Sequence, residues 1–342
     1  MSGIQNTFNR IKRQRNVKLD FLRVLAIIVC IVMHALMGED VPETEYHWRI
    51  FFLPDVGGIF IMASGAIILN RTDCEPCGWK YVWHRVASFL PEFVIFSVLY
   101  VFLDKAYGFE VSETYSVSRR IMYMFFTPTW GPGWFILALT GCYLVLPLLS
   151  AWVRSASRRQ IEIGLGIWIC STCLPFVMTQ TTVNVPESLF GTVFNYSGYM
   201  LMGYYLLRWP FRLRSFRFKA VYFVCCVGVG FGLGYLLAQS GAKWGYMGNL
   251  ETGLSVNVMA VTLLLYGVIL QLPDKLFSGV AGRIFTSLST VSLGIYCCHW
   301  LIIRYWAIEE GVNWLTATVV TLVITIPLAY IMKYIRNLKF KS

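Results

Sequence analysis

Charged residues are scarce in this chain. They make up 14% of its 342 residues, whereas soluble domains carry about 25%. Apolar and aromatic residues account for 57%, and the mean hydropathy is +0.60. Such a composition excludes a disordered chain and a coiled coil, both of which are rich in charge. It predicts an all-α, polytopic integral membrane protein.

The chain also lacks the cysteine pattern of a disulfide scaffold. Of its ten cysteines, only Cys74 and Cys77 lie in a polar segment. The others fall within apolar runs, where thiols behave as small hydrophobic side chains. A single C-x-x-C pair is a weak indication of zinc, so the sequence predicts no metal site. The basic start leads directly into a full-length apolar run, which argues against a cleavable signal peptide.

Ten apolar runs have about the 20 residues that a membrane-spanning helix needs. They predict one ten-span domain over 19–334, a basic cytoplasmic segment over 1–18 and a cytoplasmic tail over 335–342. Segment 114–127 is amphipathic, which predicts a helix at the membrane interface. The predicted spans are 19–37, 54–70, 87–104, 131–150, 161–179, 190–208, 217–239, 254–271, 287–306 and 314–334.

The basic residues are unevenly distributed between the predicted loops. With a cytoplasmic N-terminus, 22 of the 29 lysines and arginines fall on the inner side and six on the outer side. The remaining one, Arg23, lies within the first span. This distribution follows the positive-inside rule and predicts that both termini are cytoplasmic. It also accounts for the net charge of +11 without a nucleic-acid partner.

Ionisable residues inside spans are costly and are usually functional or paired. Arg23 and His34 lie eleven positions apart in the first span, so they share one helix face at about 16 Å separation. A cation near the inner end and a titratable base near the outer end suit a site that serves both compartments. In the alternative interpretation, Arg23 extends to the inner headgroups and His34 caps the outer helix end.

Three further ionisable residues have two interpretations each. Asp20 precedes Arg23 by three positions, which allows an ion pair that orients the guanidinium or an ordinary acidic helix start. Glu92 either pairs with Arg85, seven positions earlier, or faces the inner headgroups, with a catalytic role left open. His299 is either a hydrogen-bonded core histidine or a functional residue.

Four segments resemble, in order, the motifs of membrane acyltransferase family 3. This family comprises bacterial inner-membrane enzymes that O-acylate surface glycans. The segments are Lys18-Leu-Asp20-Phe-Leu-Arg23 with His34 after ten further residues, Phe60-Ile-Met-Ala-Ser64-Gly65, Gly133-Trp134-Phe135, and Ser292-Leu-Gly294-Ile-Tyr296-Cys-Cys-His299. The family often shows Arg-x-x-Arg before the proline that enters the third span. Here Arg85 is present, and Ser88 stands at the second arginine position before Pro91. The chain resembles the stand-alone form of the family.

The resemblance implies a donor, an acceptor and a location. The donor is a cytosolic acyl-CoA, with acetyl-CoA expected, which is a co-substrate rather than a permanently bound cofactor. The acceptor is a hydroxyl of a surface polysaccharide or of its lipid-linked precursor. The location is the bacterial inner membrane. Direct transfer and a covalent acyl-histidine intermediate both remain open, as do the acceptor sugar and the oligomeric state.

Acyl transfer requires a base, cationic groups that bind the phosphates of the acyl donor, and hydrogen-bond donors for the developing oxyanion. Within the resemblance, we expect His34 as the base, with Arg23 and Asp20 also in the catalytic set. We expect Arg23, Arg85, Ser64 and Trp134 at the donor, and His299 and Tyr296 at the acceptor. The first, second, fourth and ninth spans carry these residues, so they are expected to surround a shared cavity.

A transporter or flippase of lipid-linked sugars is the alternative function. Ten spans with intramembrane charges are compatible with it. Transporters often show internal repeats with interrupted helices in matching halves, and no such repeat is evident in this sequence. The acyltransferase is therefore the main hypothesis.

Overall fold

The computed structural model describes residues 15–37, 57–70, 78–108, 116–126, 128–179, 196–210, 216–227 and 256–339. All regular secondary structure in these ranges is helical, which confirms the predicted all-α class. The pair Cys74 and Cys77 lies outside the described residues. The same holds for parts of the predicted second, sixth, seventh and eighth spans.

The helices are numbered here in chain order over the described residues. Two 3₁₀ turns are present: Gly131–Gly133 precedes the sixth helix, and Asp274–Phe277 precedes the eleventh. A π-helical turn, Ile303–Ala307, follows the twelfth helix. The α-helices are α1 (Val17–Met37), α2 (Gly57–Leu69), α3 (Trp79–Ala87), α4 (Leu90–Ala106), α5 (Val117–Tyr123), α6 (Trp134–Ser155), α7 (Arg158–Thr179), α8 (Ser197–Arg208), α9 (Phe216–Val227), α10 (Val256–Gln271), α11 (Gly279–Ser289), α12 (Ser292–Ile302) and α13 (Trp314–Lys339).

Three segments among the described residues are long and apolar enough to cross a membrane: Val17–Met37, Gly131–Ser155 and Trp314–Leu338. Two bent helix pairs raise the number to five if each is one span: α3 with α4, bent by 41°, and α11 with α12, bent by 68°. The structure thus supports a helical membrane protein. The count of ten spans and the cytoplasmic location of both termini are not confirmed and stay predictions.

Local sequence explains where several helices begin or bend. Pro91 lies in the first turn of α4, where its missing N–H costs no hydrogen bond. Ser116 caps α5, since its side chain accepts a hydrogen bond from the backbone N–H of Arg119. Between α11 and α12, Thr290 donates its hydroxyl to the carbonyl of Ser287. Such side-chain bonds compete with the helical ladder.

Helix α1 contacts five other helices: α2, α10, α11, α12 and α13. Its side chains Leu22, Ala26 and Ile31 are fully buried. A helix that is apolar on most of its surface and buried in this way serves as a core element. The ionisable side chains of α1 are therefore held within a buried helix rather than in loops.

Helices α2 and α8 approach each other closely through two glycines. A Cβ at Gly65 would overlap the backbone carbonyl oxygen of Met200, and a Cβ at Gly203 would overlap that of Met62. Small residues at such crossings let helix backbones pack closely in membranes. Gly65, which follows Ser64 in the second motif, therefore serves the close packing of α2 against α8.

The amphipathic helix α5 is tied to α4 by a mostly buried ion pair. Arg120 Nη2 lies 2.7 Å from Asp104 Oδ2, with side chains 12% and 13% exposed. Tyr305, in the π-helical turn, donates its hydroxyl to the other oxygen of Asp104 at 2.6 Å. Three segments thus share one carboxylate. The predicted position of α5 at the membrane interface stays a prediction.

Glu92 pairs with α13 and not with Arg85. Arg336 Nη1 lies 2.9 Å from Glu92 Oε1 and also donates to the carbonyl of Ser88 at 3.1 Å. Of the two interpretations of Glu92, neither named this partner, because Arg336 is far away in the sequence. A carboxylate held in this way ties α4 to α13.

We expect Glu92→Gln to lower the free energy of unfolding by about 1 kcal/mol, because the partly exposed ion pair becomes a neutral hydrogen bond. The acyl transfer that the family resemblance implies should change by less than about twofold, since no described contact links Glu92 to His34 or His299. Thermal unfolding in detergent and a transfer assay measure the two effects. A large loss of transfer with unchanged stability would restore a catalytic role for Glu92.

Candidate active site

Two buried histidines from distant parts of the chain form a hydrogen bond. His34 lies near the end of α1 and His299 lies in α12, 265 positions later. His34 Nδ1 and His299 Nε2 are 3.0 Å apart, and the two rings stack with an interplanar angle of 26°. His34 is 8% exposed and His299 is fully buried. The structure therefore brings together the two histidines that the sequence motifs singled out.

The surrounding groups determine the tautomer of each ring. His299 Nδ1 faces the backbone carbonyl of Tyr296, which only accepts hydrogen bonds, so we assign the proton to Nδ1. His299 Nε2 then carries a lone pair and accepts a hydrogen bond from His34 Nδ1–H. In this assignment His34 Nε2 keeps its own lone pair. A neutral imidazole with an unshared lone pair can accept a proton.

Cys30 lies one helical turn before His34, and its side chain faces the hydrogen-bonded pair of His34 and His299. Its Sγ is 3.6 Å from His34 Nδ1 and 4.0 Å from His299 Nε2. Trp300 packs its ring edge-to-face against His34 at 5.3 Å. None of the four motifs singled out Cys30. Its i,i+4 spacing from His34 was the available signal, because that spacing places both side chains on one helix face.

Tyr296 links the histidine pair to the start of α6. Its hydroxyl donates to the carbonyl of Pro132 in the 3₁₀ turn, and its ring lies 5.1 Å from Phe135 and 5.2 Å from His299. The late motif and the Gly-Trp-Phe motif are therefore adjacent. The hydroxyl of Tyr296 donates within the protein, and no described contact tests its predicted role at the acceptor. That role stays a prediction.

Arg23 contacts the second motif. Its Nη2 donates to Ser64 Oγ at 3.3 Å, and both residues lie close to the buried Tyr143 of α6. The charges of Arg23 and Arg85 both act on Tyr143. The two arginines that we predicted at the donor thus converge on one tyrosine that the sequence did not distinguish from other span aromatics.

Arg85 is held in place by an aromatic neighbour. Its Nε donates to the hydroxyl of Tyr81 at 2.9 Å, and its guanidinium lies over the same ring. At Ser88, the position where the family often has a second arginine, Arg336 supplies a guanidinium that binds the backbone carbonyl. A cation is therefore present beside this turn although the local motif lacks one.

Asp20 does not orient Arg23 through an ion pair. Its carboxylate pairs with Arg15 Nε at 2.6 Å and accepts hydrogen bonds from Ser289 Oγ and Thr286 Oγ1. The interpretation of an i,i+3 pair with Arg23 is therefore wrong. The buried carboxylate instead joins α1 to α11, and its predicted catalytic role has no support from these contacts.

Trp134 lies apart from the arginine cluster. It begins α6, and its ring packs 6.1 Å from Phe135 and 5.5 Å from Tyr196. No described contact joins Trp134 to Arg23, Arg85 or Ser64. Of the four residues predicted to bind the acyl donor, three therefore lie in the cluster around Tyr143. Trp134 lies outside this cluster.

The four motif-bearing spans pack together as expected. Helix α1 packs against α2 and α12, α2 packs against α6, and the 3₁₀ turn before α6 packs against α12. A shared cavity between them stays a prediction.

A family model described as an acyltransferase domain matches residues 16–334, nearly the whole chain. The chain belongs to acyltransferase family 3. No curated protein and no solved structure gives a significant match. The protein is therefore an acyltransferase, and its apolar helices make it a membrane acyltransferase.

Proposed function

We propose that the protein is an O-acyltransferase that moves an acyl group, with acetyl expected, from cytosolic acyl-CoA to a hydroxyl of a surface polysaccharide or its lipid-linked precursor. The observation that carries the proposal is the hydrogen-bonded pair of His34 and His299. Family membership supports acyl transfer in general. The location that we propose is the bacterial inner membrane.

The pair supplies the base that the reaction needs. The oxygen of the acceptor hydroxyl attacks the thioester carbonyl, and His34 Nε2 accepts the proton of that hydroxyl. The CoA thiolate leaves. His299 holds the His34 ring in the required tautomer and stabilises the imidazolium that forms. An aspartate has the same task in serine-hydrolase triads. Here the positioning residue is a histidine fixed by a backbone carbonyl.

The arginine cluster is suited to the donor. Arg23 and Arg85 are both partly buried and lie around Tyr143, and arginine binds phosphate with two parallel hydrogen bonds. Arg23 is about 16 Å from His34 along α1. A donor whose phosphates lie at the cluster must therefore extend its pantetheine arm toward the histidines. Such an extended shape matches acyl-CoA, whose thioester is remote from its phosphates.

The direct test compares the surface glycan of cells that carry the wild-type protein, His34→Ala or no protein. Mass spectrometry should find the mass of one acyl group only with the wild type, and its value identifies that group. An increment that survives His34→Ala would remove His34 from the mechanism. Altered glycan export without any mass difference would instead favour the alternative transporter function.

Arg23→Lys is expected to raise the KM for acyl-CoA by about tenfold, which corresponds to about 1.4 kcal/mol. Lysine keeps the charge and loses the two-pronged contact with phosphate. The kcat should change much less, because Arg23 is remote from the base. Steady-state kinetics with varied acyl-CoA give both constants. A fall in kcat at constant KM would place Arg23 at the reacting atoms instead.

A further inference from the structure

Three side chains with metal-binding atoms converge where α1 meets α12. Cys30 Sγ, His34 Nδ1 and His299 Nε2 all lie within 4.8 Å of one another. All three residues are buried, at 8%, 8% and 0% exposure. Thiolate and imidazole are the preferred ligands of Zn²⁺. From the sequence we predicted no metal site, and that prediction considered only the C-x-x-C pair in the polar segment.

The separations of the three atoms are close to those of a tetrahedral zinc site. With Zn–N near 2.0–2.1 Å and Zn–S near 2.3 Å, tetrahedral angles place two nitrogens about 3.4 Å apart and a nitrogen and sulfur about 3.6 Å apart. The structure has 3.0 Å between the nitrogens. It has 3.6 Å and 4.0 Å from the sulfur to His34 and His299. Shifts of a few tenths of an ångström complete one face of the tetrahedron.

The outer contacts of His299 also have the form that metal-binding histidines show. Such histidines donate their other ring N–H to a carboxylate or a backbone carbonyl, which fixes the tautomer and directs the lone pair at the metal. His299 Nδ1 contacts the carbonyl of Tyr296 in this way. Cys30 and His34 lie one turn apart on a single helix. The ligands are therefore held by rigid elements.

We propose that Cys30, His34 and His299 form a Zn²⁺ site with three protein ligands. Three ligands leave one position open for water, as in catalytic rather than structural zinc sites. On binding, the Cys30 thiol releases its proton to solvent. The proton on His34 Nδ1 moves to Nε2, and His299 keeps its proton on Nδ1. One proton is thus released for each ion bound, and no oxidation or reduction occurs.

Zinc binding has a consequence that rests on the proposed function. With the metal on Nδ1 and the proton on Nε2, the His34 ring has no lone pair left to accept the proton of an acceptor hydroxyl. Zn²⁺ should therefore inhibit acyl transfer, and a chelator should reverse the inhibition. The binding of zinc itself stands on the geometry of the three ligands and does not need the transfer reaction.

The test measures metal binding by the purified full chain in nanodiscs. Elemental analysis after Zn²⁺ loading and removal of excess metal should give about one ion per chain. Titration with Co²⁺ should give the charge-transfer absorption of a cobalt–thiolate bond, which Zn²⁺ then removes. Cys30→Ser should weaken binding by more than about 100-fold, beyond the 10–100-fold that loss of an outer-shell partner costs.

Two matched controls separate this site from other thiols. Cys142→Ser replaces another buried cysteine, 3% exposed on α6, and should bind zinc as the wild type does. The double variant Cys74→Ser/Cys77→Ser removes the C-x-x-C pair and should also bind normally. Binding that is lost in this double variant and kept in Cys30→Ser would overturn the proposal. The absence of metal and of the cobalt absorption in the wild type would do so without any variant.

The activity measurement separates the two proposals. Zinc binding with reversible inhibition supports both the metal site and the role of His34 as base. Zinc binding at Cys30 without inhibition supports the metal site and contradicts His34 as the base. No zinc binding, together with loss of transfer in His34→Ala, overturns the metal site and leaves the proposed function intact.

Discussion

Asparagine at position 34 is expected to lower the kcat of acyl transfer by about 10³-fold, within the 10²–10⁴-fold that a general base contributes. The asparagine Nδ2 takes the place of His34 Nδ1 and can still donate to His299 Nε2. The side chain then has no basic lone pair to receive the hydroxyl proton. Steady-state transfer from labelled acyl-CoA by purified protein measures the effect.

The same variant should keep the fold and the donor site. Because the hydrogen bond to His299 is retained, the unfolding temperature should stay close to that of the wild type. The KM for acyl-CoA should change little, since the arginine cluster around Tyr143 is untouched. A His34→Asn protein that transfers acyl groups at the wild-type rate would show that another group is the base.

In the mechanism that we propose, His299 acts through His34, and two variants separate this positioning role from a packing role. Glutamine at position 299 offers an oxygen that accepts the His34 Nδ1–H, whereas leucine fills space and accepts nothing. We expect His299→Leu to lower kcat by about 10- to 100-fold and His299→Gln to recover most of that loss. Equal losses in both variants, with equal stability, would contradict the assigned tautomers.

Gly65→Ala is expected to destabilise the protein by about 3 kcal/mol, at the upper end of the usual cost of overpacking. A Cβ at this position overlaps the backbone of Met200. Neither α2 nor α8 can relieve the overlap by a side-chain rotation, so the helices must separate. Thermal unfolding of the detergent-solubilised protein, compared with the wild type, measures the loss.

A matched glycine without close neighbours serves as a control, and its replacement is not expected to destabilise the protein. Gly141 is an exposed glycine within α6, and a Cβ there meets nothing within 4 Å. Gly141→Ala should therefore leave stability unchanged or raise it by up to about 1 kcal/mol, because alanine is the better helix former. If both alanine variants unfold at the wild-type temperature, the close approach of α2 and α8 does not contribute to stability.

The apolar pattern predicted individual helices well where one run forms one continuous helix. The run 19–37 became Val17–Met37, and the run 314–334 became Trp314–Lys339. The run 287–306 is instead divided between α11 and α12, which meet at a 68° bend. Hydropathy does not detect this bend, because the break at Thr290 interrupts the helical hydrogen bonds and leaves the segment apolar.

The candidate site was predictable in its residues and not in its contacts. Spacing along α1 placed Arg23 and His34 on one face, and motif resemblance added Ser64 and His299. The hydrogen bond between His34 and His299 depends on the packing of α12 against α1, which no local pattern encodes. The partner of Asp20 was also not predictable from local spacing. The i,i+3 spacing suggested Arg23, but Asp20 pairs with Arg15 and Ser289.

The 265-residue separation between the two histidines also affects the biosynthesis of the enzyme. His34 enters the membrane with the first helix, whereas His299 enters with one of the last. At about 5–20 residues per second, translation separates the two events by roughly 15–50 s. During that interval His34 lacks the partner that sets its tautomer. A nascent chain therefore cannot form the pair of His34 and His299 until α12 is in place.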